Sequence, residues 1–112
     1  MAYDEALATR IRAQLAGSAG VSEKRMFGGL AFLKNGNMFV GVNGDELMAR
    51  VGKENYADSL ARKHVREMDF TGKPLAGYVF VGAQGIAKDT DLGFWVQRCQ
   101  AFAETLPAKA RK

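Results

Sequence analysis

Cysteine and histidine are almost absent from this chain of 112 residues, which contains only Cys99 and His64. A single thiol cannot form a disulfide within one chain. One residue of each type is also too few for the cysteine- or histidine-rich ligand sets that hold zinc. We therefore expect no metal site.

Long apolar runs are also missing. The longest uncharged stretch covers residues 74–87, is interrupted by Gly, Pro and Gln, and falls short of the roughly 20 apolar residues of a membrane helix. The first residues, MAYDEALATRI, carry acids where a secretory signal carries basic residues. These absences predict a cytoplasmic protein with no membrane partner.

Positive charge is concentrated at the end of the chain. There are 16 Lys and Arg against 12 Asp and Glu, a formal charge of +4, but Lys109, Arg111 and Lys112 lie within the last five residues. The rest of the chain is close to neutral. We interpret residues 1–107 as one domain and residues 108–112 as a basic tail, which is most often solvated.

Hydrophobic periodicity predicts three helices. Apolar residues recur every four positions over residues 3–16, and a short helix is expected at residues 53–64. The last helix is predicted to begin with an N-cap within residues 89–91 and to stop at Pro107. Its apolar stripe consists of Leu92, Trp95, Val96, Cys99, Phe102, Ala103 and Leu106. Phe94 projects away from this stripe.

Five strands are expected between these helices. Runs at residues 24–33, 38–42 and 46–51 are separated by Asn35-Gly36 and Asn43-Gly44, and Asn-Gly suits the positive φ angles of tight hairpin turns. They predict a three-stranded meander, followed by a pair of strands at residues 66–70 and 77–81. The order α-βββ-α-ββ-α is typical of a single α+β domain with an antiparallel sheet.

Both sides of the first run are apolar, with Met26, Leu30 and Phe32 on one side and Phe27, Ala31 and Leu33 on the other. A strand with two apolar faces needs cover on both. Either helices lie on both faces of the sheet, or a protein partner or second copy buries one of them.

The sequence contains no recognisable catalytic or cofactor-binding motif. Gly28-Gly29 matches neither a dinucleotide-binding fingerprint nor a P-loop, and a hairpin rather than a helix follows it. Cys99 lies in an apolar stripe, where burial favours the inert thiol. His64 stands among cations, as expected of a surface histidine at a helix end. We expect no catalytic residue and no cofactor.

Several segments together resemble the TfoX N-terminal domain family, which is named after the Sxy/TfoX competence regulators of bacteria. They are RMFGGLAF, the Asn-Gly hairpin with MFVGV, then DELMARVG, MDFTGKPLAGYVFV and DLGFWVQRCQAFAETLP. The likeness extends from about Tyr3 to Leu106. It implies a fold similar to that of secretion chaperones and a link to transcriptional regulation of DNA uptake. Full-length regulators carry a second, C-terminal helical domain. Since this sequence ends in LPAKARK, we expect a stand-alone N-terminal domain. The resemblance transfers no catalytic residue.

Two functional hypotheses remain open. The first is a non-enzymatic regulatory or protein-interaction domain that binds a protein partner or forms a homodimer; its candidate contacts are Arg25, Phe27, Gly28, Gly29 and Phe94. The second is direct nucleic-acid binding through Arg62, Lys63 and Arg66 together with the tail cations Lys109, Arg111 and Lys112. For Gly28-Gly29 we expect a structural role, as a bulge or bend in the first strand or as room for a helix to approach.

Overall fold

The computed structural model describes residues 4–18, 20–26, 29–68 and 77–106, in which three α-helices accompany a six-stranded antiparallel sheet. The elements in chain order are α1 (Glu5–Gln14), β1 (Val21–Met26), β2 (Gly29–Lys34), β3 (Asn37–Asn43), β4 (Glu46–Arg50), α2 (Tyr56–Leu60), β5 (Val65–Glu67), β6 (Tyr78–Val81) and α3 (Asp89–Glu104). A 3-10 helix, Ala83–Ile86, precedes α3. This confirms the predicted α+β class.

The strands lie in the order β1-β2-β3-β4-β6-β5. The first four form a meander of neighbouring hairpins, and β6 inserts between β4 and β5, pairing antiparallel with both. The predicted pairing of the last two strands is thereby confirmed. The outer strands are β1 and the three-residue β5.

The first predicted strand is in fact two strands. Residues 24–33 were expected to be continuous, but β1 and β2 pair antiparallel with Met26 opposite Gly29, so the meander has four strands rather than three. A bulge or bend within one strand is therefore wrong for Gly29, which is the first residue of β2. The hairpin connection itself falls on Phe27 and Gly28, which lie outside the described residues.

The two Asn-Gly hairpins are present, with one shift. Asn35 and Gly36 have φ of 51° and 85° and join β2 to β3, as expected of a type I′ turn. In the next hairpin Asn43 pairs with Glu46, so the two-residue loop begins one position later than predicted, at Gly44, whose φ is 60°.

The main core lies between the helices and one face of the sheet. Alternate residues of β2, β3, β4 and β6 point to this side, among them Phe32, Val40 and Val79, all at most 1% exposed. Helix α1 contributes Leu7 and Ile11 of the predicted stripe, and its C-cap residue Leu15 contributes the third member. Tyr3, its expected first member, lies outside the described residues.

Helix α3 supplies the other large part of this core, through Leu92, Trp95, Val96, Cys99 and Ala103. Two details differ from expectation. Lys88 rather than an acid is the N-cap, and the acids at positions 89 and 91 fall in the first turn, where they still complement the positive end of the helix dipole. Phe102 is only half-buried.

The opposite face of the sheet has its own apolar cluster. Met48, Met68 and Phe80 are each at most 4% exposed, with Met38 and Tyr78 packed beside them. Ala31 of β2 is also buried. Both faces of the sheet therefore carry buried side chains, in agreement with the need for cover that the apolar first run indicated.

Candidate functional site

The exposed ring of Phe94 is the centre of the candidate site. Among the residues that the structure describes, Phe94 is the only large apolar side chain classed as exposed, at 36%. This confirms that it projects away from the buried stripe of α3. Its ring meets the buried Trp95 ring edge-on, with centroids 5.2 Å apart.

Two guanidinium groups stack on this ring. The Cζ of Arg62 lies 4.3 Å from the ring centroid and that of Arg98 lies 4.7 Å from it, both within the range of a cation–π contact. Arg98 is one helical turn after Phe94 on α3, whereas Arg62 follows the end of α2. The ring is therefore contacted by side chains of two different helical segments.

A single carboxylate joins the two arginines. Nη1 of Arg98 and Nε of Arg62 both donate to Oδ2 of Asp58, at 2.8 and 3.3 Å. Nη1 of Arg98 also donates to Oγ of the fully buried Ser59, at 3.1 Å. The hydrogen bond from Arg98, followed by that from Arg62, lowers the pKa of Asp58.

A groove of about 960 Å³ runs along α3 on one side of Phe94. Its other wall is the segment of residues 51–55, between β4 and α2. Gly52, with φ of 86°, permits the approach of these walls, because a Cβ at this position would lie only 2.5 Å from Cδ1 of Phe102. The lining residues are Val51, Gly52, Lys53, Glu54, Asn55, Phe94, Gln97, Arg98, Ala101, Phe102 and Thr105.

A smaller hollow of about 440 Å³ lies on the other side of the same ring. It is lined by Arg62, Lys63, His64, Gln84, Gly85, Asp91, Phe94 and Trp95. His64 is exposed, as predicted, and has a positive φ of 67°. Phe94 thus separates an apolar groove from a polar hollow.

The chemistry of reactive groups in the described residues is limited. Burial raises the pKa of the Cys99 thiol to about 12, which keeps it protonated at neutral pH, as its place in the apolar stripe predicted. Within residues 4–18, 20–26, 29–68 and 77–106, no group of three or more His, Cys, Asp and Glu could hold a metal ion. No helix in this part of the chain has both the length and the apolar character needed to cross a membrane.

The predicted partner-binding residues fall in two separate places. Arg25 is exposed on the outer strand β1, and the buried Gly29 opens β2 close by. Phe94 is on α3, across the main core. A Cβ on Gly29 would overlap the carbonyl oxygen of Val42 in β3. Glycine is therefore required here by the close approach of a neighbouring strand, and not of a helix. Phe27 and Gly28 lie outside the described residues.

The predicted cationic group is divided by the sheet. Arg62 and Lys63 border the Phe94 hollow. Arg66 instead stacks over Phe80 on the opposite face, at 4.6 Å, and pairs with Glu46. It therefore does not join Arg62 and Lys63. Lys109, Arg111 and Lys112 lie outside the described residues.

Sequence reasoning missed Arg98 and Asp58. Each belongs to a pair at i,i+4 spacing, Phe94 with Arg98 and Asp58 with Arg62, so each local contact could have been found from helical periodicity. The approach of α2 to α3, which unites the two pairs, has no local signal.

A comparison with protein families matched the TfoX N-terminal domain to residues 13–103, which is most of the chain. Searches of curated proteins and of solved structures gave no match.

Proposed function

Because the chain belongs to the TfoX N-terminal domain family, we propose that it is a non-enzymatic regulatory domain that binds another macromolecule in the control of DNA uptake. The competence regulators after which the family is named motivate the setting. The binding role rests on the molecule itself.

The exposed Phe94 surface is the observation that supports a binding role. When a partner covers a large ring that is exposed beside a groove, apolar surface is removed from water, and this favours binding. The arginines on both sides of Asp58 hold the ring in place, so little side-chain freedom remains to be lost on binding. Aromatic and arginine side chains are enriched among residues that dominate binding energies.

A chromosomal Phe94→Ser substitution tests this proposal. In the native host, we expect deletion of the gene to change the transcripts of DNA-uptake genes and to lower transformation frequency. Phe94→Ser should reproduce both effects at unchanged protein abundance. Ala13→Ser, an exposed position on α1, serves as the matched control. A deletion strain with unaltered transcripts and transformation would refute the regulatory role.

Nucleic-acid binding is the second candidate, supported by the cations Arg62 and Lys63 beside the exposed aromatic ring. Basic surfaces with an aromatic stacking platform are typical of proteins that bind single strands. Fluorescence anisotropy of a labelled 20-nucleotide single-stranded DNA would measure the affinity. We expect this affinity to fall steeply as the salt concentration rises. It should also be lower when residues 108–112 are removed and in the Lys63→Ala variant. Absence of binding at 20 mM salt would exclude this candidate.

A further inference from the structure

We infer that the groove beside Phe94 binds a short acidic peptide segment of a partner protein, in which an apolar side chain is adjacent to a carboxylate. This inference rests on the proposed binding function and specifies the chemistry of its partner. Three properties of the groove support it: its apolar wall, its prepared cations and its balance of charge.

The apolar wall comes from α3. Phe94, Ala101 and Phe102 border the groove at positions that share one side of the helix, and Val51 contributes from the facing segment. From Phe94 to Thr105 this side of the helix is about 16 Å long, at 1.5 Å per residue. A volume of about 960 Å³ is large enough for one or two apolar side chains of a peptide.

The cations are prepared to bind a carboxylate. Arg98 uses Nη1 for its bonds to Asp58 and Ser59, and Arg62 uses Nε for its bond to Asp58. The other guanidinium N–H groups of both arginines donate to no acceptor among the described residues. Asp58 shows that both arginines can donate to one carboxylate oxygen, and these two hydrogen bonds hold the guanidinium groups in place before any partner binds.

The local charge favours an anionic partner at one end of the groove. Two guanidinium groups share the single carboxylate of Asp58, so the cluster of Arg62, Arg98 and Asp58 has a net charge of +1 beside the exposed ring. Lys53 adds a cation on the facing segment, next to Glu54. A peptide carboxylate positioned near Arg98 would therefore lie beside an apolar residue packed against Phe94.

The same charges argue against a nucleic acid in this groove. Glu54 lies along its wall, Asp58 lies at the arginine pair, and Asp91 borders the adjoining hollow. A continuous phosphate backbone would approach all three carboxylates, whereas a peptide can place one carboxylate at the arginines and apolar atoms elsewhere. We therefore infer a protein partner.

Titration of the uniformly ¹⁵N-labelled full chain by NMR tests the inference. The probe is an end-capped six-residue peptide with one phenylalanine and two leucines among three aspartates. Its matched control has three asparagines in place of the aspartates. We expect saturable shifts of amides in residues 51–55 and 94–105, with affinity at least about tenfold lower for the control, since a charge-assisted hydrogen bond is lost. Higher salt should weaken the binding of the acidic peptide.

Protein variants provide the second arm. Phe94→Ser, at an exposed position, and Arg98→Gln should each lower affinity about tenfold or more, with spectra that show an intact fold. Lys24→Gln, which removes an exposed cation from the distant strand β1, should leave affinity unchanged. If Arg98→Gln perturbs the fold, Phe94→Ser alone decides the result.

Several results would overturn the inference. They are the absence of saturable shifts, equal affinity for the acidic peptide and its control, or shifts confined to another surface. Tighter binding of a single-stranded oligonucleotide at these amides would indicate a nucleic acid instead. Concentration-dependent shifts of the same amides without peptide would indicate a second copy of the chain. If transcripts respond to Phe94→Ser while the peptide does not bind, the regulatory function stands and the acidic partner is wrong. If the peptide binds but the deletion changes no transcript, the groove is supported and the regulatory function is wrong.

Discussion

Replacing Gly29 with alanine should destabilise the fold through a clash within the sheet. The added Cβ would overlap the carbonyl oxygen of Val42 and lie 3.2 Å from its carbonyl carbon and 3.4 Å from Cα of Asn43. All three are backbone atoms of β3, the strand that pairs with β2. They cannot move aside by a rotamer change, so relief of the clash requires displacement of one strand from the other.

The expected cost follows from two opposing effects. Overpacking of a well-packed interior typically costs about 1 to 3 kcal/mol. Loss of backbone freedom in the unfolded chain returns about 0.4 to 1 kcal/mol when glycine becomes alanine. We therefore expect the free energy of unfolding to fall by about 1 to 2 kcal/mol, which lowers Tm by about 5 to 15 °C in a domain of this size.

Urea denaturation followed by circular dichroism would measure this change, with Gly82→Ala as the matched control. Gly82 has φ of −67° and ψ of 164°, which alanine adopts readily. A Cβ there would meet its nearest described neighbour at an ordinary 3.5 Å. We expect Gly82→Ala to be neutral or slightly stabilising. Equal stabilities of the two variants would refute the argument from close backbone approach.

Three further predictions concern ionisable groups. Burial raises the pKa of Cys99 to about 12, so the thiol keeps its proton to a higher pH in the folded state than in the unfolded state. The free energy of unfolding should therefore fall as pH rises from about 9 toward 12. In a pH series of urea melts, Cys99→Ala should reduce this fall. In NMR titrations, the carboxyl pKa of Asp58, lowered in the native chain, should rise more in Arg98→Gln than in Arg62→Gln, since the bond from Arg98 is the larger cause; the opposite order would contradict this. Arg10 donates to the carbonyl of Ile86 at 2.7 Å and pairs with Asp89, so Arg10→Met should lower the free energy of unfolding by about 1 to 2 kcal/mol in urea melts, and an unchanged value would show that these bonds contribute nothing net.

Local patterns predicted much of this fold. The stripe of Leu7, Ile11 and Leu15 is buried, and Asn35-Gly36 forms the expected turn. Helical periodicity and positive φ preferences act between near neighbours, so a single sequence contains their full signal. The exposure of Phe94 was predictable for the same reason.

The division between β1 and β2 was not predictable from such patterns. The connection between Met26 and Gly29 contains no Asn-Gly or Asp-Gly pair, and the run through it is largely apolar. Length and hydrophobicity alone therefore favoured a single strand. The fourth strand became evident only from pairing across the sheet.

The candidate site was predicted only in part, because local sequence patterns do not report which side chains meet through tertiary packing. Arg62 and Lys63 do lie beside Phe94, but their proximity to Arg66 along the chain was misleading. Successive strand residues point to opposite faces, so Arg66 stacks on Phe80 instead. Arg98 is far from Arg62 in the chain and reaches it through packing of α3 near α2, which periodicity does not report.

The position of β6 between β4 and β5 has a consequence for folding kinetics. Within the meander of β1 to β4, each strand pairs with the next one along the chain, so each of these hairpins closes a short loop. Pairing of Leu47 with Val81 closes a much longer one. We expect the meander to form early and β6 to dock late, so a mutation at Val40 should slow folding whereas one at Val79 should mainly speed unfolding. Stopped-flow φ-values of equal size at these two positions would contradict this order.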